Sequence, residues 1–120
     1  MKTFEDVEVY KLSKDICLNI FNWSNEKFNR NYGFKDQIQR AAVSVLNNIA
    51  EGFERGSKKD FIRFLYYSKG SVGEVRSMLN IAVELGYLTI DEYQELKSKC
   101  ENVSKQLSNF IKYLKEKESN

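Results

Sequence analysis

Apolar residues near the C-terminal end of the chain repeat at alternating steps of three and four positions. The series is Tyr93, Leu96, Cys100, Val103, Leu107, Phe110 and Leu114. This spacing puts one apolar stripe along an α-helix, and the stripe is buried only when other helices pack along it. The chain contains no proline, the residue that interrupts helices most strongly. The pattern therefore predicts an all-α protein.

Three earlier segments show the same helical period. Their apolar positions are Val9, Leu12, Ile16, Cys17, Ile20 and Trp23, then Ile38, Ala41, Val45 and Ile49, then Phe61, Leu65, Val72, Val75, Leu79, Ala82 and Leu85. Short connections near 53–57 and 86–88 favour antiparallel neighbours, whereas 29–33 is predicted to be a loop. We therefore predict one domain, residues 1–120, folded as an up-down-up-down antiparallel four-helix bundle whose charged end, 115–120, frays.

Capping residues mark the ends of these helices. Thr89 followed three positions later by Glu92 predicts a capping box at the start of the fourth segment. Ser57 with Asp60 predicts an N-cap for the third. Gly86 predicts its C-terminal cap, since glycine readily adopts the left-handed backbone conformation that ends many helices.

The residue types present argue against catalysis and metal binding. Histidine is absent, so the commonest general base and zinc ligand are missing. The two cysteines, Cys17 and Cys100, fall on the apolar stripes, which favours buried, unbridged thiols. A carboxylate cluster of Glu51, Glu54 and Glu74 is the remaining alternative, although Glu51 is also spaced to pair with Arg55. We expect no enzyme activity, no metal and no cofactor.

No stretch approaches the roughly 18 apolar residues of a membrane span. The first residues turn acidic at once and lack the apolar segment of a secretory signal. We therefore expect a cytoplasmic protein with no membrane partner.

The second and third segments carry more apolar surface than one bundle buries. A second stripe follows Val43, Leu46, Ala50 and Phe53, and six of the seven residues in 61–67 are apolar or aromatic. Because a helix that is apolar all round must be buried all round, we predict a homo-oligomer. The interface candidates are Val43, Leu46, Phe53, Tyr66 and Tyr67. The alternative is that both tyrosines are ordinary surface residues. Gly70 and Gly73, inside the third helix, suggest that another backbone approaches closely there.

Positive charge is concentrated in the middle of the chain. Residues 30–76 hold nine Lys or Arg against five acids, net +4, while the segments before and after each carry −1. All five arginines lie in this middle segment. One interpretation is a nucleic-acid-binding surface, with candidates Arg40, Arg55, Lys58, Lys59 and Arg63. The other is a solvated face of intramolecular ion pairs.

Several motifs together resemble a known family. They are Asn48-Ile-Ala-Glu-Gly-Phe-Glu-Arg-Gly-Ser57, Ser68-Lys-Gly-Ser71 with Glu74, Leu85-Gly-Tyr-Leu88, Phe4-Glu-Asp-Val-Glu-Val-Tyr10 and Gln37-Ile-Gln-Arg-Ala-Ala-Val-Ser-Val45. They resemble the four-helix-bundle proteins encoded in intervening sequences of bacterial 23S ribosomal RNA genes. The resemblance implies a homopentamer and no catalytic residues. Its motif positions here are Glu51, Gly52, Arg55, Ser57, Gly70, Ser71 and Glu74.

A related branch comprises the accessory variability determinants of diversity-generating retroelements, which are basic pentamers that associate with a reverse transcriptase and its template RNA. The resemblance thus implies RNA or an RNA–DNA hybrid, and a reverse transcriptase, as partners. We therefore predict a non-enzymatic RNA-binding module that serves as the accessory subunit of a reverse transcriptase complex. The alternative is a structural or protein-interaction oligomer with no affinity for nucleic acid.

Overall fold

A computed structural model describes residues 2–117. A short 3-10 helix, Phe4–Asp6, precedes five α-helices: α1 (Glu8–Asn22), α2 (Glu26–Arg30), α3 (Tyr32–Glu54), α4 (Lys58–Glu84) and α5 (Ile90–Glu116). No strand occurs among residues 2–117, so the all-helical class is confirmed. The predicted fraying does not begin at Lys115, because α5 continues to Glu116; residues 118–120 lie outside the described range.

The four long helices pack in a square. α3 contacts α1 and α4, and α5 contacts α1 and α4, while α1 and α4 lie across one diagonal and α3 and α5 across the other. The ends show that neighbours run antiparallel. The Trp23 indole N–H, after α1, donates to the Tyr87 carbonyl just before α5 (2.9 Å). The Lys58 ammonium, at the start of α4, donates to the Lys117 carbonyl after α5 (2.6 Å). Because α1 and α4 are diagonal in the square, as are α3 and α5, the α1–α3 face and the α4–α5 face lie on opposite sides of the bundle.

Most of the predicted core positions are buried. On α5 these are Leu96, Cys100, Val103, Leu107 and Leu114. Tyr93 and Phe110 are only partly buried, and Ile111, which the heptad series omits, is buried instead. On α1, α3 and α4 the buried members of the predicted stripes are Val9, Ile16, Cys17, Ile20, Ile38, Ala41, Val45, Ile49, Leu65, Val72, Val75, Leu79 and Ala82.

The predicted caps are present. The Thr89 hydroxyl accepts from the Glu92 amide (3.1 Å), and the Glu92 carboxylate accepts from the Thr89 amide (2.7 Å). The Ser57 hydroxyl accepts from the Asp60 amide (3.0 Å). Gly86 follows α4 with a φ of 75°, the left-handed conformation that only glycine adopts without strain.

The predicted loop at 29–33 is wrong. Arg30 ends α2 and Tyr32 begins α3, so that only Asn31 separates two helices. Asparagine side chains make this possible by capping. Asn25 accepts from the Phe28 amide at the start of α2 (3.0 Å), and Asn31 accepts from the Phe34 amide at the start of α3 (3.2 Å). Phe28 itself is fully buried and stacks on Trp23 with ring centroids 3.9 Å apart, which anchors α2 to the bundle.

The contact between α3 and α4 is unusually close at Gly52. A Cβ atom added there would lie 2.7 Å from the Cβ of Phe64 on α4, which is too short for any real contact. Two hydrogen bonds join the same helices, one from the Ser68 hydroxyl to the Val45 carbonyl (2.8 Å) and one between the hydroxyls of Ser44 and Ser71 (2.8 Å). The helices therefore meet through a glycine and small hydroxyl side chains.

Gly70 and Gly73 differ from Gly52. An added Cβ atom at either position would meet nothing within 4 Å, and both residues are exposed. The close backbone approach expected at these glycines therefore does not occur among residues 2–117 of one protomer.

No helix within the described range is both long enough and apolar enough to cross a membrane.

Gly52→Ala should destabilise the protein by about 1–3 kcal/mol, because the new methyl group overpacks the α3–α4 contact. Gly70→Ala is the matched control. It adds the same group to open space within a helix, so it should stabilise the protein by up to about 1 kcal/mol. Urea denaturation followed by circular dichroism measures both. Equal effects of the two substitutions would contradict the close contact at Gly52.

Both thiols should react slowly in the native protein. Burial raises the pKa of the Cys100 thiol to about 12 and also raises the pKa of Cys17. The thiolate is the reactive form, so raised pKa values and burial both slow labelling by a thiol reagent at pH 8. Unfolding restores ordinary pKa values and access, and labelling should then become fast. Rapid native labelling of Cys100, read by mass spectrometry, would contradict the core position of this residue.

Candidate nucleic-acid interface

Each of the five arginines forms an ion pair with a carboxylate. The nitrogen–oxygen distances run from 2.7 to 3.3 Å for Arg30–Glu26, Arg40–Asp36, Arg55–Glu51, Arg63–Asp60 and Arg76–Glu101. Exposed pairs of this kind contribute little stability, but they do place a negative charge beside each guanidinium. For the arginines, the structure therefore matches the interpretation of intramolecular ion pairs.

Four of the five predicted nucleic-acid-binding residues lie at one end of the bundle. The Arg55 and Arg63 guanidinium groups lie 4.9 and 5.0 Å from the centroid of the same Phe64 ring. Lys58 and Lys59 occupy the first turn of α4, between the two arginines in sequence. The turn between α3 and α4 thus gathers four cations.

Arg40 lies elsewhere. It lines a groove on the α1–α3 face together with Phe21 and Val43. The hydrogen bond to Asp36, reinforced by the charge of that carboxylate, raises the pKa of the Arg40 guanidinium. Arg40 is therefore separate from the other candidates.

A further group of cations, which the sequence analysis did not single out, lines a groove between α4 and α5. We call it the lysine groove. It has a volume of about 390 Å³ and is lined by Tyr66, Lys69, Ser108, Ile111, Lys112, Lys115 and Glu116. Lys69 comes from α4, and Lys112 and Lys115 come from successive turns of α5. In the sequence, the three-residue spacing of Lys112 and Lys115 could have indicated this group. It was overlooked because residues 77–120 carry a net negative charge.

The cations of the lysine groove are less neutralised than the arginines. Lys69, Lys112 and Lys115 take part in no ion pair among the described residues. The Lys115 ammonium instead donates to the uncharged Tyr66 hydroxyl (2.7 Å). Ile111 is buried and Ser108 is partly buried. The groove therefore combines an apolar floor, hydroxyl groups, three cations and one carboxylate, that of Glu116. Its excess of positive charge suits a phosphate ester.

The family-motif positions have structural contacts. Glu51 pairs with Arg55, and the Glu74 carboxylate accepts a hydrogen bond from the Gln37 amide of α3. Gly52, Ser57 and Ser71 make the close contact, the cap and the hydroxyl pair described above, while Gly70 is exposed. Among residues 2–117, no group of three or more His, Cys, Asp or Glu side chains is arranged to hold a metal ion. Glu51, Glu54 and Glu74 do not form such a cluster.

The predicted oligomer-interface residues do not form one surface. Val43 and Leu46 are partly buried against the core, and Phe53 packs edge-on against Phe61 (5.9 Å between centroids). Tyr66 lies in the lysine groove and Tyr67 is half exposed.

Only part of the 61–67 run lacks a partner. Phe61, Ile62, Phe64 and Leu65 pack within the protomer, whereas Tyr66 and Tyr67 stay about half exposed. The sequence analysis missed several exposed apolar residues, among them Leu18 and Phe21 on α1, which are 52% and 47% exposed.

Comparison with other proteins gives a fold and a family. No curated protein matches the chain. A crystal structure of a protein of unknown function from the S23 ribosomal protein family of Bacteroides thetaiotaomicron superposes with a TM-score of 0.79. The two are 25% identical, and the match covers 87% of this chain and 98% of that one. The sequence profile of the 23S rRNA-intervening sequence protein family matches residues 5–109. This chain therefore belongs to the 23S rRNA-intervening sequence protein family.

Proposed function

We propose that this protein is a non-enzymatic, homo-oligomeric module that binds RNA through the α4–α5 face. The observation that carries the proposal is the lysine groove, where three cations from two helices have no carboxylate partner within the described chain. Phosphate groups satisfy such cations, and lysine binds them as a point charge without reading the base. Binding is therefore tolerant of sequence.

The turn between α3 and α4 extends this surface. Lys58 is hydrogen-bonded to the Lys117 carbonyl after α5, so the start of α4 lies beside the end of the helix that supplies Lys112 and Lys115. A nucleic-acid backbone lying along the α4–α5 face thus meets lysines over several turns. Arg55 and Arg63 contribute to RNA binding only if each releases its carboxylate partner and takes a phosphate instead.

We propose that the module works in the cytoplasm as an accessory subunit of a reverse transcriptase complex. The support is the resemblance to the accessory proteins of diversity-generating retroelements, which associate with a reverse transcriptase and its template RNA. The genes beside this one test that part. We expect a reverse transcriptase gene with adjacent template and variable repeats, and flanking 23S ribosomal RNA sequence alone would contradict it.

Self-association is proposed to use the α1–α3 face as one of the two different surfaces that each copy contributes to a closed ring. The groove there has a volume of about 520 Å³, and Phe21 and Val43 supply its apolar side chains. This face lies opposite the α4–α5 face, so using it leaves the lysine groove of the same protomer uncovered at this contact. Repeating the groove around a closed ring strengthens the positive field. The resemblance supplies the number of copies, which is five.

A structural or protein-interaction oligomer is the second candidate. Two observations favour it: all five arginines are paired with carboxylates, and the net charge of the whole chain is only +2. The binding measurement below separates the two candidates.

Lys112→Gln/Lys115→Gln should weaken RNA binding. Each phosphate contact releases counterions, so losing two contacts should reduce the slope of log affinity against log salt by about 2. Fluorescence anisotropy at several salt concentrations measures this. Lys11→Gln/Lys14→Gln is the matched control, with the same three-residue spacing and exposure on α1, and should bind as the wild type does.

Equal weakening by both double variants would show that the lysine groove is not the contact. If the wild-type protein does not bind RNA even at low salt, the RNA-binding proposal fails and the interaction oligomer replaces it.

Phe21→Glu should dissociate the oligomer, because it places a charge in the apolar part of the α1–α3 face. Light scattering on a gel-filtration peak measures the mass. The control is Ile90→Glu at an apolar residue that is 68% exposed at the start of α5, and it should leave the mass unchanged. A wild-type mass near the 14.1 kDa of the monomer at micromolar concentration would contradict self-association.

A further inference from the structure

Tyr66 has a particular position within the lysine groove. Its hydroxyl accepts a hydrogen bond from the Lys115 ammonium at 2.7 Å, whereas the same nitrogen lies 5.1 Å from the centroid of the ring. Because the nitrogen is so much closer to the hydroxyl than to the ring centre, it lies beyond the hydroxyl edge and not over the ring face. Tyr66 is 47% exposed, so aromatic surface remains open beside the cation.

This arrangement places two kinds of contact side by side. An exposed aromatic ring stacks with a nucleic-acid base of any identity, and a neighbouring cation holds the phosphate of the same nucleotide. Lys69 and Lys112 line the same groove and supply charge for the adjoining phosphates. The groove thus offers both groups that sequence-tolerant, single-strand-binding proteins use.

A duplex cannot use both contacts. In an A-form helix the bases are stacked on one another inside, and mainly phosphates and 2′-hydroxyls face a protein. The lysine groove is concave, with a volume of about 390 Å³ between two helices. A single strand or an unpaired loop can turn a base onto Tyr66, whereas a duplex would first have to unstack one.

We propose that the lysine groove binds unpaired RNA, with a base stacked on Tyr66 and the adjacent phosphate held by Lys115. This inference rests on the proposed RNA binding and specifies its ligand, which is single-stranded RNA or the unpaired nucleotides of a folded RNA. The hydrogen bond between Lys115 and Tyr66 positions the cation beside the ring before RNA arrives.

The test compares two RNAs and three tyrosine variants by fluorescence anisotropy at one salt concentration. The RNAs are a short oligouridine, which does not fold on itself, and a blunt-ended RNA duplex of equal length. We expect the wild-type protein to bind oligouridine about tenfold more tightly than the duplex, the order expected for one stacked base. Tyr66→Ala should weaken oligouridine binding much more than duplex binding, and so remove most of that preference.

Two further variants separate stacking from structural effects. Tyr66→Phe keeps the ring and should retain most of the affinity for oligouridine. Tyr67→Ala is the matched control, because Tyr67 is the next residue of α4 and is 50% exposed, but it packs edge-on against Phe64 (5.4 Å between centroids). It should bind both RNAs as the wild type does. Circular dichroism and light scattering establish that each variant keeps the wild-type fold and mass.

The outcomes distinguish this inference from the proposed function. If the duplex binds as tightly as oligouridine, or if Tyr66→Ala loses nothing while Lys112→Gln/Lys115→Gln loses affinity, the stacking inference is wrong and RNA binding stands. If neither RNA binds at low salt, the proposed function fails and this inference fails with it.

Discussion

The close contact between α3 and α4 positions much of the remaining surface. Gly52 lets the backbone of α3 approach Phe64 so closely that no side chain fits between them. The serine hydroxyls along the same contact satisfy one another or a backbone carbonyl, which avoids the cost of burying an unpaired polar group. An adjacent side of α4 packs against α5, and the lysine groove lies along that second contact.

The arginines differ from the lysines of the lysine groove in whether they form an ion pair with a carboxylate. Every arginine lies next to a carboxylate, most often one turn away on the same helix. The three lysines of the lysine groove form no ion pair within the described residues, although Lys99, elsewhere on α5, pairs with Asp15 and Glu95. Arginine is the more selective phosphate ligand, yet here its fork-shaped group is already occupied. The proposed RNA contact therefore depends on lysine, which favours tolerant binding over the recognition of one sequence.

The motif that carries the family resemblance is mainly architectural. Gly52 allows the close contact, Ser57 caps α4, and Glu51 and Arg55 pair across one turn at the end of α3. These residues determine how two helices join and pack. This agrees with the fold shared by the Bacteroides thetaiotaomicron protein at only 25% identity.

The sequence alone determined the features that depend on local spacing. The apolar period predicted the long helices and most of the core, and Thr89, Ser57 and Gly86 predicted helix ends, because periodicity and caps act within a few residues. Tertiary structure decided the rest. Phe28 anchors the short, otherwise polar helix α2 to the bundle through its contacts with Trp23 and Tyr87. The lysine groove joins Lys69 to Lys112 across two helices, and the two are adjacent only after α4 and α5 pack. Counting charges along the chain indicated the arginines as the binding residues. Whether a carboxylate neutralises a given cation depends on which side chains are close in space, and only the tertiary structure determines that.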